Sequence, residues 1–254
     1  MNNEHCLQIE YLDSVDSTNA YLKRKLLSGE PLPEPPFAAA AKEQTEGRGR
    51  SGRKWLNTEG ALMMSVAVML DDPSVEAPLA SLAAACAAKK TIAALGCRAS
   101  IKWPNDVVCI GVNGYKKLCG ILCELVRLPD GRWFAILGIG VNVNADAIPE
   151  NLLQPATSVF LETGRKTEIS AAAAILFRSV CGYADLLKTD KNALLSNYRA
   201  DCFTFGKSVR AIESSGNEIV GIAADIDSIG RLTILTETGE KITVSAADVS
   251  LRLK

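Results

Sequence analysis

Histidine is almost missing from this 254-residue chain: the single copy, His5, lies close to the N-terminus. Ser-His and Cys-His nucleophilic catalysis need an imidazole beside the nucleophile, so neither is expected. Paired cysteines are missing too. The eight cysteines (Cys6, Cys86, Cys97, Cys109, Cys119, Cys123, Cys181 and Cys202) form no Cys-x-x-Cys. Structural zinc sites draw on Cys and His at short fixed spacing, so no metal ligand set is expected. Most of these cysteines sit among Ala, Leu, Ile and Val and read as small core hydrophobes in a reducing compartment. A basic excess is absent as well, with 28 Lys and Arg against 29 Asp and Glu. That balance argues against wholesale nucleic-acid binding while leaving room for a local basic site. No apolar run approaches the roughly 18 residues that span a bilayer, and the first twenty residues lack a signal h-region. The expectation is a soluble cytoplasmic protein, not membrane-bound, whose chemistry runs on Arg, Lys, Asn and backbone groups.

What is present organises into a large unit and a small one. At roughly 150 residues per domain, the length suggests one large domain plus a small one, with a core that needs no metal or disulfide. Asp16-Ser17-Thr18 precedes a helical pattern, and the four prolines between Glu30 and Pro36 mark a linker turn. Strand-like runs are expected at Phe37–Ala41, Leu62–Leu70, Ala99–Trp103, Val107–Ile110, Lys117–Val126 and Trp133–Val143. Between them lie an alanine-rich helix, Val75–Leu95, and turn signals at Asn113-Gly114 and Pro129-Asp130-Gly131. Helical patterns follow at Asn151–Gln154, Thr157–Glu162, Ser170–Leu187 and Asn192–Tyr198. Beyond Phe205-Gly206 come short alternating segments, Ser208–Ile212, Ile219–Ile226, Arg231–Leu235 and Lys241–Val244, as in a small β-barrel. The domain boundary is expected near residue 204, giving units 1–204 and 205–254.

Four places break the rules of good strand or loop chemistry. Gly47-Arg48-Gly49-Arg50-Ser51-Gly52-Arg53-Lys54-Trp55 is the first; from Glu46 to Lys54 it has four cations and one anion. Glycines let backbone fold round a ligand while arginine forks suit carboxylate or phosphate. The spacing is neither a Walker loop nor a dinucleotide fingerprint, and a solvated basic loop is the plain alternative. Next, Ile101-Lys102-Trp103-Pro104 delivers Asn105 and Asp106 to the mouth of a sheet, unless it is only a turn with a buried Trp. Third, Lys117 opens an otherwise apolar strand as either a snorkelling residue or a point charge aimed at an anion, and Gly120 weakens that strand. Fourth, Gly138-Ile139-Gly140-Val141-Asn142-Val143-Asn144 sets two glycines and two asparagines where a core wants bulk. Together they describe a cationic, glycine-lidded pocket with interior asparagines, suited to joining two anionic substrates.

The ordered set Asp16-Ser17-Thr18-Asn19, Gln44, the 47–55 loop, Lys-Trp-Pro-Asn-Asp at 102–106, Lys-Leu-Cys-Gly-Ile-Leu-Cys-Glu at 117–124 and Gly-Ile-Gly-Val-Asn-Val at 138–143 closely resembles biotin–protein ligases. The likeness runs from about residue 9 to the C-terminus. It implies an α+β fold: a mixed β-sheet flanked by helices, like class II synthetases, followed by an SH3-like β-barrel. It implies two substrates, biotin and ATP with Mg2+, and an acceptor, the biotin carboxyl carrier protein. Biotin would be activated as biotinyl-5′-AMP and then passed to the carrier's lysine. Under this resemblance Ser17, Thr18, Asn19 and Gln44 bind the biotin ureido ring and its neighbourhood. Gly47, Arg48, Gly49, Arg50, Lys117 and Gly120 complete the biotin site, with Arg48 over the carboxylate and Lys117 holding it against the α-phosphate. Arg50, Arg53, Trp55, Asn105, Asp106 and Asn142 serve the nucleotide. The resemblance admits a homodimer.

Larger members that also repress biotin synthesis carry an N-terminal winged helix-turn-helix. Here Ile9–Val15 already enters the catalytic region, so a ligase that binds no operator DNA is expected, and specific binding of such DNA at physiological salt would refute this. From Lys207 to Lys254 six cations meet seven anions, which argues against an RNA-binding barrel. Two other readings stay open at this point: a lipoate or octanoyl ligase of the same fold, and a non-catalytic nucleotide- or RNA-binding module using the 47–55 loop.

Overall fold

A computed structural model describes residues 7–56, 58–112, 114–149, 152, 154–213, 216–246 and 249–253. His5, Cys6, Asn113, Asn151, Leu153 and Lys254, which enter the readings above, lie outside the described residues. The first strand, β1 (Ile9–Val15), is half-exposed and polar because it is a sheet edge, so its pattern carries little strand signal. Then come α1 (Thr18–Leu27), β2 (Phe37–Gln44), β3 (Ala61–Leu70), α2 (Pro73–Ala94), β4 (Ser100–Lys102), β5 (Asp106–Gly111), β6 (Gly114–Arg127) and β7 (Trp133–Asn142). After these follow α3 (Val159–Thr163), α4 (Ile169–Thr189) and α5 (Lys191–Asp201).

The seven strands form one mixed sheet in the order β1-β2-β3-β7-β6-β5-β4, with β1 parallel to β2 and the other pairs antiparallel. Helices α2 and α4 pack on one face over Leu62, Met64, Val66, Leu137, Ile139 and Val141. Helix α1 covers part of the other face, over Ala39, Ala67, Phe134 and Ile136. Alternation sends consecutive residues of each strand to opposite faces, so the face that α1 only partly covers carries Met63, Gly138, Gly140 and Gly120. Helix α2 starts where Asp72 accepts the Ser74 N–H at 3.0 Å with Pro73 in its first turn, and ends just before Gly96 at φ +86°.

Several expectations need correction. Leu152 and Gln154 lie in bends and not in a helix; Pro155 disfavours helical backbone at the residue before it. The helix expected from Thr157 begins at Val159, because the Ser158 hydroxyl caps it by accepting the Leu161 N–H at 3.0 Å. Helix α4 is, by length and composition, apolar enough to cross a bilayer, which the sequence reading did not allow for. Its Ala172, Ala173, Leu176, Val180 and Leu187 are buried, so it serves here as a core helix.

After residue 204 come β8 (Ser208–Glu213), β9 (Glu218–Ile226), β10 (Leu232–Leu235), β11 (Lys241–Val244) and β12 (Val249–Leu253). They form the second, SH3-like antiparallel sheet in the order β11-β10-β9-β8-β12. Strand β12, which closes against β8, was not anticipated. The two sheets are pinned together at Trp103. Its indole N–H donates to the Gly230 carbonyl at 3.1 Å and its backbone N–H to the Thr204 hydroxyl at 2.9 Å.

Candidate active site

The exposed sheet face, the start of α1 and the 47–55 loop enclose a cavity of about 600 Å³. A row of register partners forms its floor: Met63 pairs with Gly140, Gly140 with Gly120, Gly120 with Asp106, and Asp106 with Lys102. The two central glycines sink the floor. Over them lies the Trp55 indole, so a Cβ on Gly140 would meet ring carbons at 2.5 Å and one on Gly120 at 2.8 Å. Gly138 makes room for something else, since its Cβ would lie 2.3 Å from Asn19 Oδ1.

Lys117 reaches this floor through a β-bulge. The β5–β6 register passes from Val107↔Cys119 to Val108↔Lys117, skipping Leu118. Regular alternation would send Lys117 and Gly120 to opposite faces; the extra residue turns Lys117 onto the Gly120 face. Its ammonium lies 2.7 Å from Asp106 Oδ1 and 5.7 Å from the Trp55 ring centre. Asp106 Oδ2 accepts from Gln154 Nε2 at 2.9 Å and lies 3.9 Å from Lys102 Nζ. Burial pushes the Asp106 carboxyl up, but Lys117 and Lys102 outweigh it and hold the group below its ordinary range. Burial lowers the pKa of Lys102, whose ammonium sits 5.5 Å from the Tyr115 ring centre.

The loop is a tight hairpin. Trp55 N–H donates to the Gly47 carbonyl at 2.9 Å and Gly49 N–H to the Arg53 carbonyl at 2.7 Å, with a 3₁₀ turn at Arg50–Gly52. Arg50 points inward: it donates to Asn105 Oδ1 at 3.0 Å and to the carbonyl of Ala246, in the turn after Val244. Burial lowers its pKa. Arg48 lines the cavity too, but is 67% exposed and lies 3.5 Å from Glu46. Asn105 Nδ2 bonds the Ile121 carbonyl at 2.8 Å, and Asn142 Nδ2 the Thr157 carbonyl at 3.0 Å.

At the other end, Gln44 Oε1 accepts from Thr18 N–H at 2.8 Å and from its hydroxyl at 3.0 Å, satisfying the start of α1 from the end of β2. Asn19 Nδ2 donates to Glu124 at 2.6 Å, and its carbonyl accepts from Ser65 at 2.6 Å. Ser17, Thr18, Asn19, Gln44, Met63 and Leu122 make this an uncharged end. The whole cavity is strongly positive: Arg48, Arg50, Arg53, Lys54, Lys102, Lys117 and Arg252 face one carboxylate, Asp106. Every site residue expected from the sequence lines it except Gly47, which packs under Trp55 and Gln44. Sequence reasoning passed over Ser65, Tyr115, Gln154 and Arg252. Ser65 left a signal as the one polar residue of an apolar strand, whereas Gln154 and Arg252 reach the site only through tertiary folding.

The contrast between the glycines is testable. Gly138→Ala is expected to destabilise by about 1–3 kcal/mol, because Asn19 is held by Ser65 and Glu124 and cannot yield. Gly140→Ala is expected to displace Trp55 and change its fluorescence at a smaller cost. Urea unfolding and emission spectra of both variants check this; equal destabilisation would contradict the geometry.

Residues 11–144 match the Biotin/lipoate A/B protein ligase family, and residues 204–252 the Biotin protein ligase C terminal domain. The Biotin--[acetyl-CoA-carboxylase] ligase of Mycobacterium tuberculosis is 35% identical over 95% of this chain and 88% of its own length. The bifunctional ligase/repressor BirA of Escherichia coli is 29% identical over 96% of this chain and 74% of its own length. The biotin protein ligase from Aquifex aeolicus, solved in complex with biotin and ATP, superposes with a TM-score of 0.79 at 27% identity, covering 97% of this chain and 99% of that one. With both segments matched and a strongly cationic cavity lined mainly by the first, the chain belongs to the biotin protein ligase branch of the Biotin/lipoate A/B protein ligase family.

Proposed function

We propose that this protein is an ATP-dependent biotin–protein ligase. It activates biotin as biotinyl-5′-AMP and transfers it to a lysine of the biotin carboxyl carrier protein, in the cytoplasm. One observation carries the reading: Lys117 stands where the uncharged end of the cavity meets its cationic end, beside Trp55 and Asp106. The division between catalytic and C-terminal domains falls near residue 204.

Ser17, Thr18 and Gln44 hydrogen-bond the ureido ring, with Asn19 fixing the wall behind it. Biotin's carboxylate then lies at Lys117, where a carboxylate oxygen attacks the α-phosphorus and the bond to the bridging oxygen breaks, releasing pyrophosphate. Lys117 and Arg50 screen two anions that otherwise repel, and they stabilise charge as it moves to the leaving group. Arg53, Lys102 and Arg252 bracket the phosphates, and Trp55 offers a ring to the adenine. Mg2+ typically binds through one or two carboxylates plus substrate phosphates. Asp106, flanked by the amides of Asn105 and Gln154, suits that role and would hold the nucleotide's Mg2+, which neutralises phosphate charge. In the second step the carrier's amine attacks the acyl carbon, loses a proton and displaces AMP.

Purified protein given biotin, ATP, Mg2+ and a carrier domain is expected to release pyrophosphate only with biotin and to biotinylate only a carrier that retains its target lysine. Equal turnover with lipoate, or no biotin-dependent pyrophosphate, would overturn the reading.

A further inference from the structure

Thr157 lies just outside the cavity and is 1% exposed, yet it touches both Lys117 and Asn142. Strand β7 stops pairing with β6 at Cys119↔Val141, which leaves the Lys117 backbone facing the 155–157 segment. Lys117 N–H donates to the Pro155 carbonyl at 2.8 Å, and Thr157 N–H donates to the Lys117 carbonyl at 2.9 Å. The Thr157 carbonyl accepts from Asn142 Nδ2 at 3.0 Å. One peptide segment therefore holds two pocket residues that arrive on different strands. Its own place is set by the Ser158 hydroxyl, which donates to the Ala145 carbonyl at 2.6 Å, and by the Thr157 side chain: Thr157 Oγ1 donates to Glu162 Oε1 at 2.7 Å, and Glu162 Oε2 accepts from Cys109 Sγ at 3.5 Å. Glu162 on α3 thus ties the segment to β5 as well.

We propose that Thr157, anchored by Glu162, is a positioning residue that sets Lys117 and Asn142 for adenylate formation; this rests on the ligase reading above. The bulge alone turns Lys117 to the correct face but leaves its backbone dependent on a loop flanked by prolines. The Thr157 hydroxyl gives that loop a fixed address. Small misplacements of a charge-stabilising group cost large factors in rate, while biotin keeps its ureido-ring contacts with Ser17, Thr18 and Gln44 at the far end of the cavity. Thr157 itself touches no substrate, so its loss acts on kcat and not on KM.

The experiment uses the full chain in biotin-dependent pyrophosphate release. Thr157→Val, close in shape, removes the hydroxyl; it is expected to lower kcat about ten-fold with the KM for biotin within two-fold. Thr157→Ser is expected to restore kcat. Glu162→Ala, which also loses the Cys109 contact, is expected to lower kcat at least as much as Thr157→Val, and the double variant to be no worse than Glu162→Ala, because the two share the Thr157–Glu162 hydrogen bond. Hydrogen–deuterium exchange gives a readout independent of turnover: in Thr157→Val, peptides covering 115–120 and 155–160 exchange faster and α2 does not. An unchanged kcat, a parallel rise in KM, additive effects in the double variant, or unaltered exchange at 115–120 would overturn the proposal. Failure of the ligase reading shows separately, as a wild-type protein without biotin-dependent pyrophosphate release.

Discussion

Lys117→Ala is expected to lose biotin-dependent pyrophosphate release by on the order of 10²–10³ while keeping the fold. The ammonium is the charge nearest the proposed meeting point of carboxylate and α-phosphate, and Lys102 and Arg50 enter from other directions. The substitution also removes the 2.7 Å partner of a carboxylate that is 7% exposed. Asp106 keeps Gln154 at 2.9 Å and Lys102 at 3.9 Å, so the stability loss falls short of the ~3–5 kcal/mol typical of breaking a buried pair. The pH dependence follows. In the wild type the carboxyl is held below its unfolded value, so its contribution is present above that value and is lost as pH falls through the lowered one. Without Lys117 the opposing influence of burial gains weight, and acid unfolding of the variant moves to higher pH. Near-normal pyrophosphate release, or an unmoved acid limb, would refute these roles.

Trp103→Ala is expected to carry the largest stability loss, about 3–5 kcal/mol. The side chain is fully buried, and it joins the catalytic sheet to the Gly230 turn of the second sheet. That turn is wedged tightly, for a Cβ on Gly230 would come 2.5 Å from Leu82 of α2. Truncation leaves a void and strips the indole donor from the Gly230 carbonyl, while the backbone N–H at 103 keeps its bond to the Thr204 hydroxyl. Lys102, Asn105 and Asp106 flank Trp103, so adenylate formation falls with stability. Trp103→Phe keeps most of the volume and loses one hydrogen bond, for a cost of about 1–2 kcal/mol. Urea midpoints read both numbers; a Trp103→Ala variant within about 1 kcal/mol of wild type would show that the junction is not held there.

The strands were legible where one face or both had to be apolar, as in Leu62–Leu70 and Trp133–Val143, because burial imposes that pattern on the chain itself. Polar β1 left no such mark, whereas β12, Val-Ser-Leu-Arg-Leu, carries a short regular alternation that was passed over. The glycine-arginine loop and the Lys-Trp-Pro-Asn-Asp run were also legible, since residue types poor for a core stand out against one. Their partners were less so. The sequence could read Gly138 and Gly140 as making space, but only the packed structure gives one space to Asn19 and the other to Trp55.

A single histidine argues against histidine-based nucleophiles, and the sequence shows a local +3 loop within a near-neutral chain, because these are counts along a line. Which arginine turns inward, and which face Lys117 takes, are matters of register and contact. A single skipped residue at Leu118 decides the second, and a hydrogen bond from Arg50 to the carbonyl of Ala246 decides the first. Neither can be written in residue identity, since both depend on pairings between segments distant in the chain.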